Sequence, residues 1–277
     1  MESNNIIFII FALFVVIAVI MLKIGYIPTY ENFKFNKNDK TCRVNSIVLV
    51  HGAWVDASGW KSVYEILTKN GYNVTMVQEP LTSFKDDVMA TRRVLDLQKG
   101  PCILVGHSYG GSVITEAGIH PKVVGLVYIA AHAPDVGESE GALGKLMPSV
   151  IQKQKGAMKK TADGFLFINP PDFDKYFAPD LPSSQAEFES KSQILTASQV
   201  FTTPITVASW KIKPSFAVVA GADKIINPNL ERWYYKRAHS YTIEIKGASH
   251  SVYESHPEEV ARIIEMAANH CSARRNI

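Results

Sequence analysis

Pro101-Cys102-Ile103-Leu104-Val105-Gly106-His107-Ser108-Tyr109-Gly110-Gly111 is the stretch that decides the fold. Its first half, through Val105, is a short apolar run of the kind that a fully buried parallel strand presents. Its second half opens a helical pattern that reads from Gly110 to Ile119. Between them, Gly106-His107-Ser108-Tyr109-Gly110 fits G-x-S-x-G. A serine there, after a strand and before a helix, sits on a tight turn that small flanking residues permit and that lifts Oγ clear of the backbone. The helix N-terminus that follows favours negative charge developing beside it.

The same alternation extends on both sides. Upstream, Ile47 to Val50 reads as a strand, Gly59 to Lys69 as a helix closed by Asn70-Gly71, Val74 to Val77 as a strand and Lys85 to Gln98 as a helix. Downstream come Val123 to Ile129, Phe216 to Ala220 and Tyr241 to Ile245 as strands, with a last helix from Pro257 to Asn269. Short Val/Ile-rich runs alternating with amphipathic stretches imply an α/β fold, a mostly parallel sheet with helices on both faces. Between His132 and Pro214 the rhythm stops, and no core strand is expected. Leu143 to Lys160 and Ser184 to Ser198 look helical, and apolar aromatics are frequent. An insertion at residues 132–213 between two sheet strands implies a helical cap over the site.

A serine nucleophile needs a base, and the base needs an acid to orient it. On this kind of sheet the chain order is Ser, acid, His. His250, in Gly247-Ala248-Ser249-His250, follows the run ending at Ile245, at the carboxyl end of a strand where open α/β sheets build their sites. Asp223, in Gly221-Ala222-Asp223, stands in the same place after Phe216 to Ala220, and Asp135 is its rival. The expected triad is Ser108, Asp223 and His250. Acyl transfer also needs donors for the oxyanion. The N–H of Tyr109 is one, and the N–H of Ala53, in the loop His51-Gly52-Ala53-Trp54 after the first core strand, is the second. Trp54 and Trp60 are expected to line or pack the site's edge.

Composition bounds the rest. The 277 residues carry 47% hydrophobic and 20% charged residues and a formal net charge of +3, ordinary for a globular chain. The basic residues are scattered, so no nucleic-acid partner is expected. Cys42, Cys102 and Cys271 are too few and too distant for a disulfide framework, and Cys102 reads as a small buried hydrophobe. No ligand spacing implies a metal, and no organic cofactor is expected. Ile6 to Leu22 is an unbroken apolar run of 17 residues. With no cleavage-site signature after it, the run reads as a single-pass membrane anchor, with a signal peptide as the alternative. The chain then divides into an anchor (1–22), a connector (23–45) and an α/β domain (46–277). Lys23, Lys34, Lys37 and Lys40 follow the run and favour a cytoplasmic domain, with an exported one as the alternative. Membrane lipid would then be a partner, beside a small-molecule substrate.

His51-Gly52-Ala53-Trp54, Gly106 to Gly111, Gly221-Ala222-Asp223-Lys224 with Pro228, and Gly247-Ala248-Ser249-His250 together resemble the α/β-hydrolase superfamily. The group they resemble within it is the small bacterial carboxylesterases related to plant methylesterases and hydroxynitrile lyases. Tyr128-Ile129-Ala130-Ala131-His132-Ala133-Pro134-Asp135 with Gly137-Glu138-Ser139 resembles that group's cap entrance. The resemblance covers roughly residues 46–268 and implies a serine hydrolase acting on a small carboxylic ester through an acyl-enzyme. A hydroxynitrile-lyase-like enzyme and a non-catalytic ligand-binding protein are the alternatives on this scaffold. The lyases carry Lys after the catalytic His and Thr in place of the glycine of the His-Gly pair. Those positions resemble Ser251 and Gly52 here, which favours the esterase.

Overall fold

Ile47, Leu49, Val48 and Val50 alternate between two buried clusters, one on each face of a sheet, and this alternation organises the domain. The structure, a computed structural model, describes residues 44–273. Strand β1 (Ser46–Val50) leads through a short helical turn into helix α1 (Lys61–Lys69), which buries Val63 and Leu67. Helix α1 ends where the sequence marks it. Gly71 has φ +83°, its N–H bonds Thr68 O at 2.9 Å, and Tyr72 N–H bonds Leu67 O at 3.0 Å. That paired arrangement satisfies the last carbonyls of a helix and needs a left-handed residue at its centre.

Strand β2 (Asn73–Val77), helix α2 (Phe84–Leu97), strand β3 (Cys102–His107), helix α3 (Gly110–Ala117) and strand β4 (Val123–Ile129) follow. Ser83 starts α2 by accepting the Asp86 N–H at 3.1 Å. After the insertion come β8 (Ser215–Ala220), α7 (Pro228–Arg237), β9 (Tyr241–Ile245), α8 (Val252–Ser255) and α9 (Pro257–Ala273). Among the described residues these strands form a six-stranded sheet in the order β2-β1-β3-β4-β8-β9, every neighbouring pair parallel. Helices α2, α3 and α7 bury their apolar sides on one face, and α1, α8 and α9 on the other. The chain winds outward from β1 to β2 and then crosses back to β3. The carboxyl ends of β1 and β3 therefore flank the point where the winding reverses, the place where such sheets bind ligands.

The insertion between β4 and β8 departs from the helical expectation. It contains helices α4 (Glu140–Leu146), α5 (Pro170–Tyr176) and α6 (Ser183–Ser192), and also strands β5 (Met158–Lys160), β6 (Phe165–Ile168) and β7 (Thr196–Ala197). These strands form a small antiparallel sheet in the order β5-β6-β7. The helix expected over Leu143 to Lys160 stops at Leu146, because Pro148 disfavours helical backbone at Met147, whose φ and ψ are −132° and 76°. The helix expected over Ser184 to Ser198 stops at Ser192. There the Gln193 side chain turns back to bond the N–H and carbonyl of Ile168 at 2.9 and 2.8 Å, and the chain continues into β7.

The expected single-pass anchor is corrected. Among the described residues no helix is long and apolar enough to cross a membrane. The longest, α9, has 17 residues and carries Glu258, Glu259, Arg262 and Glu265, whereas a span needs about 20 predominantly apolar ones. The apolar run 6–22, and the connector up to residue 43, lie outside the described residues. The single-pass tether and the membrane-bound domain expected from it are not supported.

Candidate active site

Ser108 has φ +54°, a left-handed conformation that costs a residue with a Cβ about 1–2 kcal/mol. The turn is held closed by its flanking glycines. A Cβ on Gly106 would stand 2.5 Å from Gly110 O, and one on Gly110 would stand 2.5 Å from His51 O. Ser108 N–H bonds Ile129 O at 3.2 Å, and its carbonyl accepts the His132 N–H at 3.1 Å, so β3 and β4 fix the elbow together. The strain aims Oγ at His250, whose Nε2 is 2.8 Å away. On the other side of the imidazole, Nδ1 is 2.6 Å from Asp223 Oδ2. Asp223 Oδ1 accepts the N–H groups of Ile225 and Ile226 at 2.7 and 2.9 Å, which leaves Oδ2 for the imidazole. All three side chains are buried. The structure thus brings Ser108, His250 and Asp223 into one chain of contacts from three loops at strand carboxyl ends. Asp135, the rival acid, lies elsewhere and pairs with Lys211 at 2.5 Å.

Three further residues hold this chain in place. His107 Nε2–H donates to the His250 carbonyl at 2.9 Å. Burial, then the nearby His250 charge, keeps the His107 imidazole well below its usual range, so it stays neutral as a donor. Asp180, from the insertion, accepts the Ser249 N–H at 2.8 Å and the Ser249 hydroxyl, and the Ser255 hydroxyl at 3.0 Å, pinning the loop that carries His250. Glu231 accepts the Ala220 N–H at 3.1 Å. Burial, then the charge of Asp223, pushes its carboxyl far up, so Glu231 stays protonated and adds no second charge beside Asp223. Residue-type reading missed all three: the bonds that place them, to His250, Ser249 and Ala220, span 143, 69 and 11 residues of chain, with no local pattern to signal them.

The loop after β1 supplies the opposite wall. His51 is buried, its Nδ1–H donates to Gly52 O at 2.8 Å, and its Nε2 accepts the Glu79 N–H at 2.9 Å. Both ring nitrogens are thus spent on the backbone, a structural role. The N–H groups of Ala53 and Tyr109, the expected oxyanion donors, bond no acceptor among the described residues. Trp54 has φ +67°; its backbone N–H bonds Thr196 Oγ1 at 3.2 Å and its indole N–H bonds Leu166 O at 3.1 Å, tying this loop to the small sheet of the insertion. Trp54 lines the site, and Trp60 packs behind it, buried against Tyr253 with ring centroids 4.7 Å apart and edge-on to His107 at 6.4 Å.

Ser108 opens onto a cavity of about 260 Å³. Most of its wall is apolar, from Met147, Met158, Leu166, Phe201, Ile226 and Leu230. Polar side chains enter at His132, Glu140, Ser149, Gln152 and Asn227. Among the described residues no group of three His, Cys, Asp or Glu is placed to hold a metal ion. Cys102 is buried in β3, and burial pushes its thiol up to about 12, so it stays a thiol.

A model of the alpha/beta hydrolase family matches residues 47–263. Among characterised proteins, the chain is similar to a carbendazim hydrolyzing esterase of Nocardioides sp. (strain SG-4G), 34% identical over 124 residues. That match covers 39% of this chain and about half (51%) of the relative. Among solved structures, polyneuridine aldehyde esterase superposes with a TM-score of 0.67 at 18% identity, covering 79% of this chain and 97% of that one. A methylesterase from Arabidopsis gives 0.66 at 18% identity, with 81% and 98% covered. At such identities the two structures speak for the fold alone.

Proposed function

The chain belongs to the alpha/beta hydrolase family, and from that premise we propose that it hydrolyses small carboxylic esters through an acyl-enzyme on Ser108. The observation that carries the reading is the buried relay from Ser108 Oγ through His250 to Asp223, at 2.8 and 2.6 Å, opening on a largely apolar cavity. Ser108 Oγ attacks the ester carbonyl carbon as its proton passes to His250 Nε2. Asp223 holds the imidazole in the tautomer whose Nε2 is free to accept and stabilises the imidazolium that forms. The N–H groups of Ala53 and Tyr109 receive the oxyanion. Collapse of the tetrahedral species breaks the bond to the leaving alcohol, which takes the proton from His250. A water then gives its proton to His250 and attacks the acyl carbon; collapse breaks the bond to Ser108 Oγ, which takes the proton back from His250, and the acid leaves.

The esterase reading also draws support from Gly52. A Cβ there would lie 2.7 Å from Ser108 Cβ, so the threonine of the lyase-like pattern does not fit without displacing the nucleophile. The similarity to the carbendazim esterase of Nocardioides favours the same chemistry. The test is turnover of short-chain p-nitrophenyl esters, followed by a library with acyl and alcohol parts varied separately. Release of p-nitrophenol that disappears in Ser108→Ala is expected. Saturable binding of these esters without turnover would refute the reading in favour of a non-catalytic binder.

A further inference from the structure

The cavity contains one acid that the proposed reaction does not use. Glu140, the first residue of α4, is 6% exposed and lines the same space as Ser108. Its Oε1 accepts the Ser112 hydroxyl at 2.5 Å, and its Oε2 lies 3.5 Å from His132 Nε2. His132 Nδ1 is in turn 3.2 Å from the Tyr234 hydroxyl. Among the described residues no lysine or arginine lines the cavity. His132 does not act as the missing cation, because burial, and then the His250 charge, holds its imidazole down at about 3. The other titratable groups that Glu140 acts on are Glu79, Tyr109 and Tyr234, none of them cationic. A carboxyl is therefore buried at the wall of a ligand cavity with hydrogen bonding on one oxygen and no positive charge beside it. Proteins pair buried charges or neutralise them; when this carboxyl ionises, Oε2, whose recorded neighbour is the neutral His132 imidazole at 3.5 Å, is the oxygen left for a cation.

We propose that Glu140 makes this cavity selective for esters carrying a cationic nitrogen away from the reacting carbonyl. The Glu140 carboxylate pairs with the nitrogen, while the apolar wall takes the hydrocarbon that joins it to the ester. Ser112, bonded to Oε1, holds the carboxylate so that Oε2 meets the cation. Burial pushes the Glu140 carboxyl up to about 8, against the opposing pull of the Ser112 hydrogen bond. A cation binding at pH 7 thus gives up about tenfold of its affinity to ionise the acid, and that loss shrinks to about twofold at pH 8 and nearly vanishes by pH 9.

This inference rests on the esterase reading, and matched substrates separate the two. One pair varies the acyl part: p-nitrophenyl 4-(trimethylammonio)butanoate against its neutral carbon isostere, p-nitrophenyl 5,5-dimethylhexanoate. The other varies the alcohol: butyrylcholine against 3,3-dimethylbutyl butyrate. The quaternary nitrogen does not titrate, and changes in His250 cancel in the ratio of kcat/KM within a pair. In at least one pair the ratio should favour the cation by about tenfold or more at pH 8.5. It should rise about tenfold from pH 7 to pH 9 and collapse toward unity in Glu140→Gln. Turnover of the neutral esters with no cation preference in either pair overturns this inference alone, as does a preference that survives Glu140→Gln. No turnover of any ester refutes the esterase reading instead. Where Glu140→Gln does not fold, the wild-type ratio decides: a rise with pH supports the pairing and a flat ratio overturns it.

Discussion

Asp223→Asn removes one charge and almost no volume, so it isolates what the acid does for His250. Asp223 Oδ1 takes two backbone N–H groups, from Ile225 and Ile226, and these keep an acceptor on that side after the exchange. The new NH₂ group must then occupy the Oδ2 position, 2.6 Å from His250 Nδ1. A donor there forces Nδ1 to accept, which moves the imidazole proton to Nε2 and points it at Ser108 Oγ. The base then has no lone pair for the serine proton. The same exchange in serine proteases costs about 10⁴ in kcat, equivalent to about 5.5 kcal/mol of barrier. Turnover of p-nitrophenyl butyrate should fall by that order, while the melting temperature changes little because the backbone bonds persist. Asp135→Asn is the control. Its partnership with Lys211 is partly exposed, and such pairs contribute about 0–1 kcal/mol to stability, so turnover should stay close to wild type. If Asp223→Asn keeps activity within tenfold, or Asp135→Asn is the more damaging of the two, the acid is misassigned.

Ser108→Ala should lower kcat by about 10⁶ without unfolding the protein, and a fluorophosphonate probe should add to Ser108 in the wild type; an adduct mapped by mass spectrometry to another residue refutes the elbow. Gly106→Ala should destabilise the fold by about 1–3 kcal/mol, because its Cβ meets backbone 2.5 Å away rather than a movable side chain; an unchanged urea midpoint would contradict the packing described. Glu140 also ties stability to pH. Its carboxyl is pushed from 4.5 to about 8 in the fold, so it stabilises the native state while protonated, fully below pH 4.5, and loses that contribution as pH rises through 8. The stability of wild type minus that of Glu140→Gln should therefore fall with rising pH, by up to about 5 kcal/mol across that window; a difference constant from pH 5 to pH 9 would refute the burial of this acid.

The parallel sheet and the candidate triad are legible in the sequence because each depends on a signal confined to a few neighbouring residues. A strand buried on both faces must be apolar along its length, and Ile103 to Val105 and Phe216 to Ala220 can be little else. Ser108 needs glycines at fixed offsets because its turn brings Gly106 and Gly110 within touching distance. Asp223 and His250 stand just past strands, where the fold delivers loops to one edge. The insertion lacks such constraints. Its strands are two to four residues long and obtain their partners from elsewhere: Phe165 pairs with Ala197, and Trp54 bonds Leu166 across 112 residues. At that length, helical and extended patterns are hard to tell apart; Pro148 decides the outcome locally, at the backbone of Met147, and Gln193 decides it through its bonds to Ile168.

The division follows the chemistry. Proton transfer tolerates little variation in geometry, so its parts sit on the rigid sheet edge with short, recognisable surroundings. On the proposed reading, substrate choice falls to the side chains that the insertion and the loop after β4 turn into the cavity. Glu140 illustrates this. In the sequence it is one of two glutamates flanking Ser139, which caps α4 by accepting the Ala142 N–H at 3.4 Å. Glu138 faces Arg237 in a two-pronged pair at 2.7 and 2.8 Å, and Glu140 turns inward to Ser112. Two residues of the same type, two positions apart, thus take opposite roles because the helix start points one toward a cation and the other into the cavity. The outward glutamate finds its charge partner within the protein, whereas the inward one has none among the cavity's walls. That asymmetry is why the cation is sought in the substrate.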